Sequence, residues 1–161
     1  MFSTLISAAE LHTVLTGQPV VLLDCRFQLA DTEYGLRAYA AGHLPGAHYL
    51  HLDRHLSGAK TGHNGRHPLP ERTALTTLFG SLGIAQNTQV VAYDDAGGMY
   101  AARAWWLLRW LGHEAVAVLD GGVAAWQEAG GRFEQAVPTA VPAELPPREP
   151  LVGEVRRALP R

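Results

Sequence analysis

The sequence predicts an α/β sandwich built on a mainly parallel sheet, and three observations carry that prediction. Short apolar runs at Val20–Leu23, Val90–Tyr93 and Ala115–Leu119 are continuous rather than alternating, as in strands buried on both faces. Segments with helical apolar spacing lie between them, so strand and helix alternate. Loops such as Asp94–Gly98 carry each strand's carboxyl end into a helix start.

The elements follow in order. Ser7 and Glu10 have capping-box spacing, and Leu11, Val14 and Leu15 recur at helical intervals before Gly17, which predicts a first short helix. Val20–Leu23, between Pro19 and Asp24, is the first predicted strand. Asp31–Ala41 reads as a helix ending at Gly42, and Gly42–Ala47 (GHLPGA) is dense in turn residues. His48–Leu52 extends as a short strand, and residues 57–69 are Gly- and His-rich loop. Pro70 and Glu71 suit a first helical turn, with Leu75, Leu78, Phe79 and Leu82 forming one apolar stripe that ends at Gly83. Val90–Tyr93 is a buried strand. The helix after Asp94–Gly98 runs to about Leu111 and is apolar nearly all round through Trp105, Trp106, Leu107, Leu108 and Trp110, so it is expected to be buried on more than one side. Ala115–Leu119 is the last strand, and Val123–Trp126 begin a short helix. The stretch 137–150 holds five prolines and reads as an extended linker.

Composition narrows the function classes. At 161 residues, with 47% hydrophobic and 17% charged, the chain is apolar enough to fold and about one domain long. A net charge of −2 gives no electrostatic reason to expect nucleic acid or an anionic membrane as partner. One cysteine rules out an intrachain disulfide or a CxxC pair. The most apolar stretch, Ala101–Leu111, is interrupted by Arg103 and Arg109 and is far shorter than the ~20 residues of a membrane span. The first residues lack the basic start of a signal peptide. A cytoplasmic location is the expectation.

In parallel α/β sheets the ligand site lies at the strands' carboxyl ends, here after Asp24, Tyr93 and Leu119. The loop after Tyr93 is a candidate anion cradle, because a helix start presents unpaired N–H groups. Its first position, where an enzyme would place a nucleophile, is Asp94, followed by Asp95. Carboxylates there would occupy the positive helix end themselves and repel an anionic substrate, so Asp94 reads as a cap or a solvated loop residue. Cys25 follows the first strand with only Arg26 nearby to supply positive charge. It reads as a buried structural thiol, with a sulfur-accepting thiol as the alternative. His51 and His55 have the i, i+4 spacing of a helical metal pair, but their Gly- and Pro-rich setting is loop and no local Glu or Cys completes a ligand set. Neither a metal nor a cofactor is expected.

Asp24 and Arg26 followed by GHLPGA, and LDGGVAAW containing Trp126, form ordered motifs. With YDDAGGMYAARAWWLLRWLGHEAV and KTGHNGRHPLP, they resemble the rhodanese family of sulfurtransferases, and within it the N-terminal half of tandem-domain thiosulfate and 3-mercaptopyruvate sulfurtransferases. The resemblance runs from about residue 5 to 150. It implies a three-layer sandwich with a five-stranded parallel sheet and helices on both faces. It also implies a nucleophilic cysteine first in the loop after Tyr93, which tandem enzymes carry only in the C-terminal copy; Asp94 at that position matches the non-catalytic copy. By the same resemblance Phe27, Met99 and Tyr100 form one apolar wall of the active cleft, and Asp24, Arg26, His43, Arg103 and Trp126 are structural motif residues.

The expected organisation is a rhodanese-like domain over 1–135, a Pro-rich linker over 136–149 and the start of a second rhodanese domain over 150–161. The expected function is that of the non-catalytic half of a sulfurtransferase, inactive alone because of Asp94, whose partners are a C-terminal catalytic domain and a small anionic sulfur donor. A standalone binding or regulatory module and a Cys25-dependent sulfur carrier are the alternatives.

Overall fold

The computed structural model describes residues 1–153, and its elements follow the predicted alternation with one addition. The strands are β1 (Leu5–Ile6), β2 (Val20–Asp24), β3 (His48–Tyr49), β4 (Gln89–Tyr93) and β5 (Val116–Leu119). The helices are α1 (Ala8–Gly17), α2 (Tyr34–Ala41), α3 (Arg72–Ser81), α4 (Ala101–Trp110) and α5 (Gly122–Glu128). The five strands form one sheet in the order β1-β5-β4-β2-β3, and every pairing is parallel. The expected start of a second domain at 150–161 falls mostly outside the described residues.

Both faces of the sheet are covered, which is why its strands read as continuous apolar runs. One core layer joins Leu23, Val90, Ala92 and Val116 to α3 and α4 through Leu75, Phe79, Ala104 and Leu107. The other joins Leu22, Val91, Tyr93 and Ala117 to α1, α2 and α5 through Leu11, Tyr39 and Trp126. α1 starts at a complete capping box: Ser7 Oγ accepts from Glu10 N at 3.0 Å, and Glu10 Oε1 accepts from Ser7 N at 2.9 Å.

The larger departures from the sequence reading are one added strand and three shifted boundaries. β1 is the addition, a two-residue run paired in parallel with β5 and too short to show a strand pattern. β3 stops at Tyr49, short of Leu52, because the chain turns at His51. α3 begins at Arg72, leaving Pro70 and Glu71 outside it, since Glu71 is extended (φ −68°, ψ 137°). α2 begins at Tyr34, not Asp31.

A buried ion pair fixes the carboxyl ends of the central strands. Arg26 Nη2 donates to Asp24 Oδ2 at 2.6 Å, its Nε reaches both carboxylate oxygens at 3.1 Å, and Nη2 also reaches Gly42 O at 2.7 Å. From β4, Tyr93 Oη donates to Asp24 Oδ2 at 2.8 Å and accepts from Leu44 N at 3.2 Å. Burial and the Asp24 charge push the Tyr93 phenol far above its ordinary range, so it stays a donor. His43 stacks on Tyr39, with ring centroids 3.8 Å apart, and its ring nitrogens lie 2.8 Å from Tyr39 O and 2.7 Å from Ala136 O. Trp126 stacks on His12 and donates to Arg132 O at 2.8 Å. These motif residues tie GHLPGA and α5 to the sheet.

Arg26→Met keeps the apolar stem but strands the Asp24 carboxylate at 0% exposure. A loss of about 3–5 kcal/mol in unfolding free energy is expected, read from urea denaturation followed by tryptophan fluorescence.

Candidate functional site

The loop leaving β4 curls around its own first side chain. Asp94 is 1% exposed. Its Oδ1 accepts from Ala96 N and Gly98 N, both at 2.9 Å, and its Oδ2 from Tyr100 N and Ala101 N, both at 2.8 Å. Gly97 (φ +75°) and Gly98 (φ +93°) take the left-handed conformations that turn these N–H groups inward. At Gly122 (φ +57°) a Cβ would stand 2.2 Å from Asp94 O, and Val123 N donates to that oxygen at 3.1 Å. Only glycine lets α5 approach so closely.

Asp94 is therefore a cap, but not a solvated one. The loop is an anion cradle filled by its own carboxylate. Asp95 does not share it: its carboxylate turns outward to accept from Tyr34 Oη, and that bond raises the Tyr34 pKa. A carboxylate holding four N–H bonds is a weak nucleophile and leaves no room for a bound anion.

Cys25 lies beside the cradle and is closed off. It is 1% exposed, with Sγ 3.8 Å from Leu23 O. Burial first, then the Asp24 and Asp94 charges, push its thiol pKa well above the ordinary value. A sulfur carrier needs an accessible thiolate, and Cys25 offers neither access nor charge.

The three residues expected to form an apolar wall separate into two depths. Phe27 is 1% exposed and Tyr100 9%, with ring centroids 5.4 Å apart. Met99 is 60% exposed and alone presents its side chain to solvent beside the filled loop.

The histidines build a turn. His51 Nδ1 accepts from Asp53 N at 3.1 Å and Arg54 N at 3.3 Å, which leaves Nε2 as the donor to Glu33 Oε2 at 3.1 Å. His55 Nδ1 accepts from His51 N at 2.8 Å. Their spacing reflects this local capping and not a ligand pair.

One arrangement had no sequence signal. His67 Nδ1 lies 3.1 Å from Asp53 Oδ1, with both side chains about one-quarter to one-third exposed (26% and 31%). The pair forms because Arg103 draws the loop shut, with Nε and Nη2 donating to Leu56 O and Nη2 also to His67 O and Pro68 O. The two atoms are close without being hydrogen-bonded: each is a buried polar atom with no partner among the described residues.

Residues 7–129 match the Rhodanese-like domain family. The chain belongs to this family. The rhodanese-like domain is 48% identical over 128 residues to a probable 3-mercaptopyruvate sulfurtransferase of Pseudomonas aeruginosa, covering 78% of this chain and 45% of that protein. It is 44% identical to the putative thiosulfate sulfurtransferase SseB of Mycobacterium tuberculosis, covering 81% of this chain and 46% of that protein. Among solved structures it superposes on the 3-mercaptopyruvate sulfurtransferase from Leishmania major with a TM-score of 0.78 at 29% identity, covering 89% of this chain and 39% of that one. SseA from Escherichia coli gives 0.77 at 25% identity, covering 92% and 57%. The rhodanese-like domain thus spans about half the length of the curated relatives it matches.

In the native rhodanese-like domain Cys25 is expected to resist aromatic disulfide reagents and to gain no sulfur from thiosulfate, then to react at once in denaturant. Absorbance of the released thiolate and intact-protein mass check both.

Proposed function

We propose that this domain is the non-catalytic N-terminal half of a two-domain sulfurtransferase using thiosulfate or 3-mercaptopyruvate as sulfur donor. The observation that carries the reading is the filled cradle. The position where a rhodanese nucleophile belongs holds a carboxylate whose oxygens already accept four backbone N–H bonds. The half-length match to 3-mercaptopyruvate and thiosulfate sulfurtransferases supports it.

In this reading the catalytic cysteine belongs to a second domain facing the carboxyl end of the sheet. Met99 supplies the exposed apolar contact, with Phe27 and Tyr100 stiffening the wall behind it. Apolar cover lowers the dielectric around a persulfide and excludes water. In the intact enzyme the second domain's thiolate attacks the donor's transferable sulfur, and that sulfur's bond to the rest of the donor (S–S in thiosulfate, C–S in 3-mercaptopyruvate) breaks. The remainder leaves with the electron pair. The persulfide then passes its outer sulfur to cyanide or a thiol. A cytoplasmic setting, where thiols stay reduced, belongs to the same proposal.

Alone, the chain is expected to form no thiocyanate from thiosulfate and cyanide. Mixed with the portion of the Pseudomonas relative that it does not match, it is expected to restore turnover, and Met99→Asp to weaken that restoration at least about tenfold. Turnover by the chain alone would overturn the proposal.

The cradle itself is tested by Asp94→Cys. A thiolate among the same N–H groups is expected to take one sulfur from thiosulfate and expel sulfite, visible as a mass gain at residue 94 that Asp94→Ser lacks.

A further inference from the structure

The segment that composition marks as a linker is seated on the domain. Ala143 N donates to Gly80 O at 2.8 Å, and Leu145 is 6% exposed within the core layer of α3 and α4. Arg72 Nη2 donates to Arg148 O at 3.1 Å, and Leu151 N to Arg109 O at 2.9 Å. At Gly112 (φ +86°) a Cβ would lie 2.6 Å from the Arg148 Cβ. The segment is a strap lying across one face of the domain.

Its fixed point involves a titratable group. His113 is wholly buried. Its Nε2 lies 2.8 Å from Thr88 O, a pure acceptor, so Nε2 carries the proton. Its Nδ1 lies 3.0 Å from Arg148 Nη2, a pure donor, so Nδ1 must be bare. That Nη2 also reaches Gln86 O at 3.4 Å. Only the neutral Nε2–H tautomer satisfies both contacts.

We propose that His113 and Arg148 form an acid-sensitive latch, holding the strap on the domain at neutral pH and releasing it when the imidazole gains a second proton. The added proton sits on Nδ1, pointing at the Arg148 guanidinium, so an acceptor becomes a donor and two cations face each other. Among the described residues, Arg148 is the charged group bonded to the ring. Glu114, next in sequence, is exposed, and the recess bordered by Arg148 is also lined by Met1, which carries the amino terminus, and by Gln86 and Glu114. The turn carrying Gln86 and Thr88 has no ionisable side chain. Arg72 meets Arg148 only at its carbonyl, and the Arg109 guanidinium lies over the Trp105 ring.

Burial, then the Arg148 charge, hold the His113 pKa below its ordinary value, against the Thr88 carbonyl, which raises it. For a histidine depressed in the folded state, the stabilisation is complete above the unfolded value of about 6.5. It is lost as pH falls from there through the folded value. Acid therefore loosens the strap, and with it the direction in which the chain leaves the domain. The latch needs no second domain, so its failure would leave the proposed function standing.

The test is nuclear magnetic resonance on the full 161-residue chain between about pH 8 and pH 5. The His113 ring signal and the Leu151 amide are expected to titrate with one shared midpoint. The Leu151 protection factor, normalised to the unfolded-chain exchange rate, should fall about tenfold across it. His113→Gln keeps a donor and an acceptor but cannot titrate, and should hold that protection constant. Arg148→Met, which leaves His113 in place, should show low protection at every pH and a higher His113 midpoint. The latch is overturned if Leu151 protection is unchanged while His113 titrates, if His113 does not titrate in the range, or if His113→Gln loses protection as the wild type does.

Discussion

Four backbone N–H groups around one carboxylate organise the carboxyl end of this sheet. Without Asp94, the loop leaving β4 would carry four donors without their acceptor, and the two that are buried would each cost about 1–3 kcal/mol. The loop's path, the start of α4 and the close approach of α5 through Gly122 depend on that charge being in place. The residue that keeps the loop folded is also the residue that fills its anion cradle.

A second buried carboxylate stands on the neighbouring strand. Asp24 is neutralised by the guanidinium fork of Arg26 and by Tyr93, whereas Asp94 is neutralised by backbone dipoles alone. Cys25 lies between the two and feels both charges. Its silence follows from this arrangement as much as from burial: any proton it gave up would put a third anion into the same few ångströms. The charge pattern at this end of the sheet holds the only thiol in the sequence in its protonated form.

The sequence made legible those features that depend on local pattern. The α1 capping box and the doubly buried runs of β2, β4 and β5 are written in consecutive residues, as is the aspartate that opens the loop after β4. What escaped depends on closure over distance. β1 is a strand only because β5 offers it an edge. The four donors to Asp94 come from positions whose convergence requires two left-handed glycines, so composition suggested a cap without showing how complete it is. His67 and Asp53 meet because Arg103, on a different element, gathers the intervening loop. His51 and His55 had the spacing of a helical ligand pair, but the spacing came from a turn in which each ring caps a nearby backbone.

Leu145 has a further consequence. The stretch matched by the family ends at residue 129, yet this leucine sits in the core between α3 and α4, beyond the five-stranded sheet in sequence. A chain cut after the last helix would keep every strand and every motif while leaving an apolar socket open to water. The stretch that defines kinship therefore stops short of a residue that the core contains.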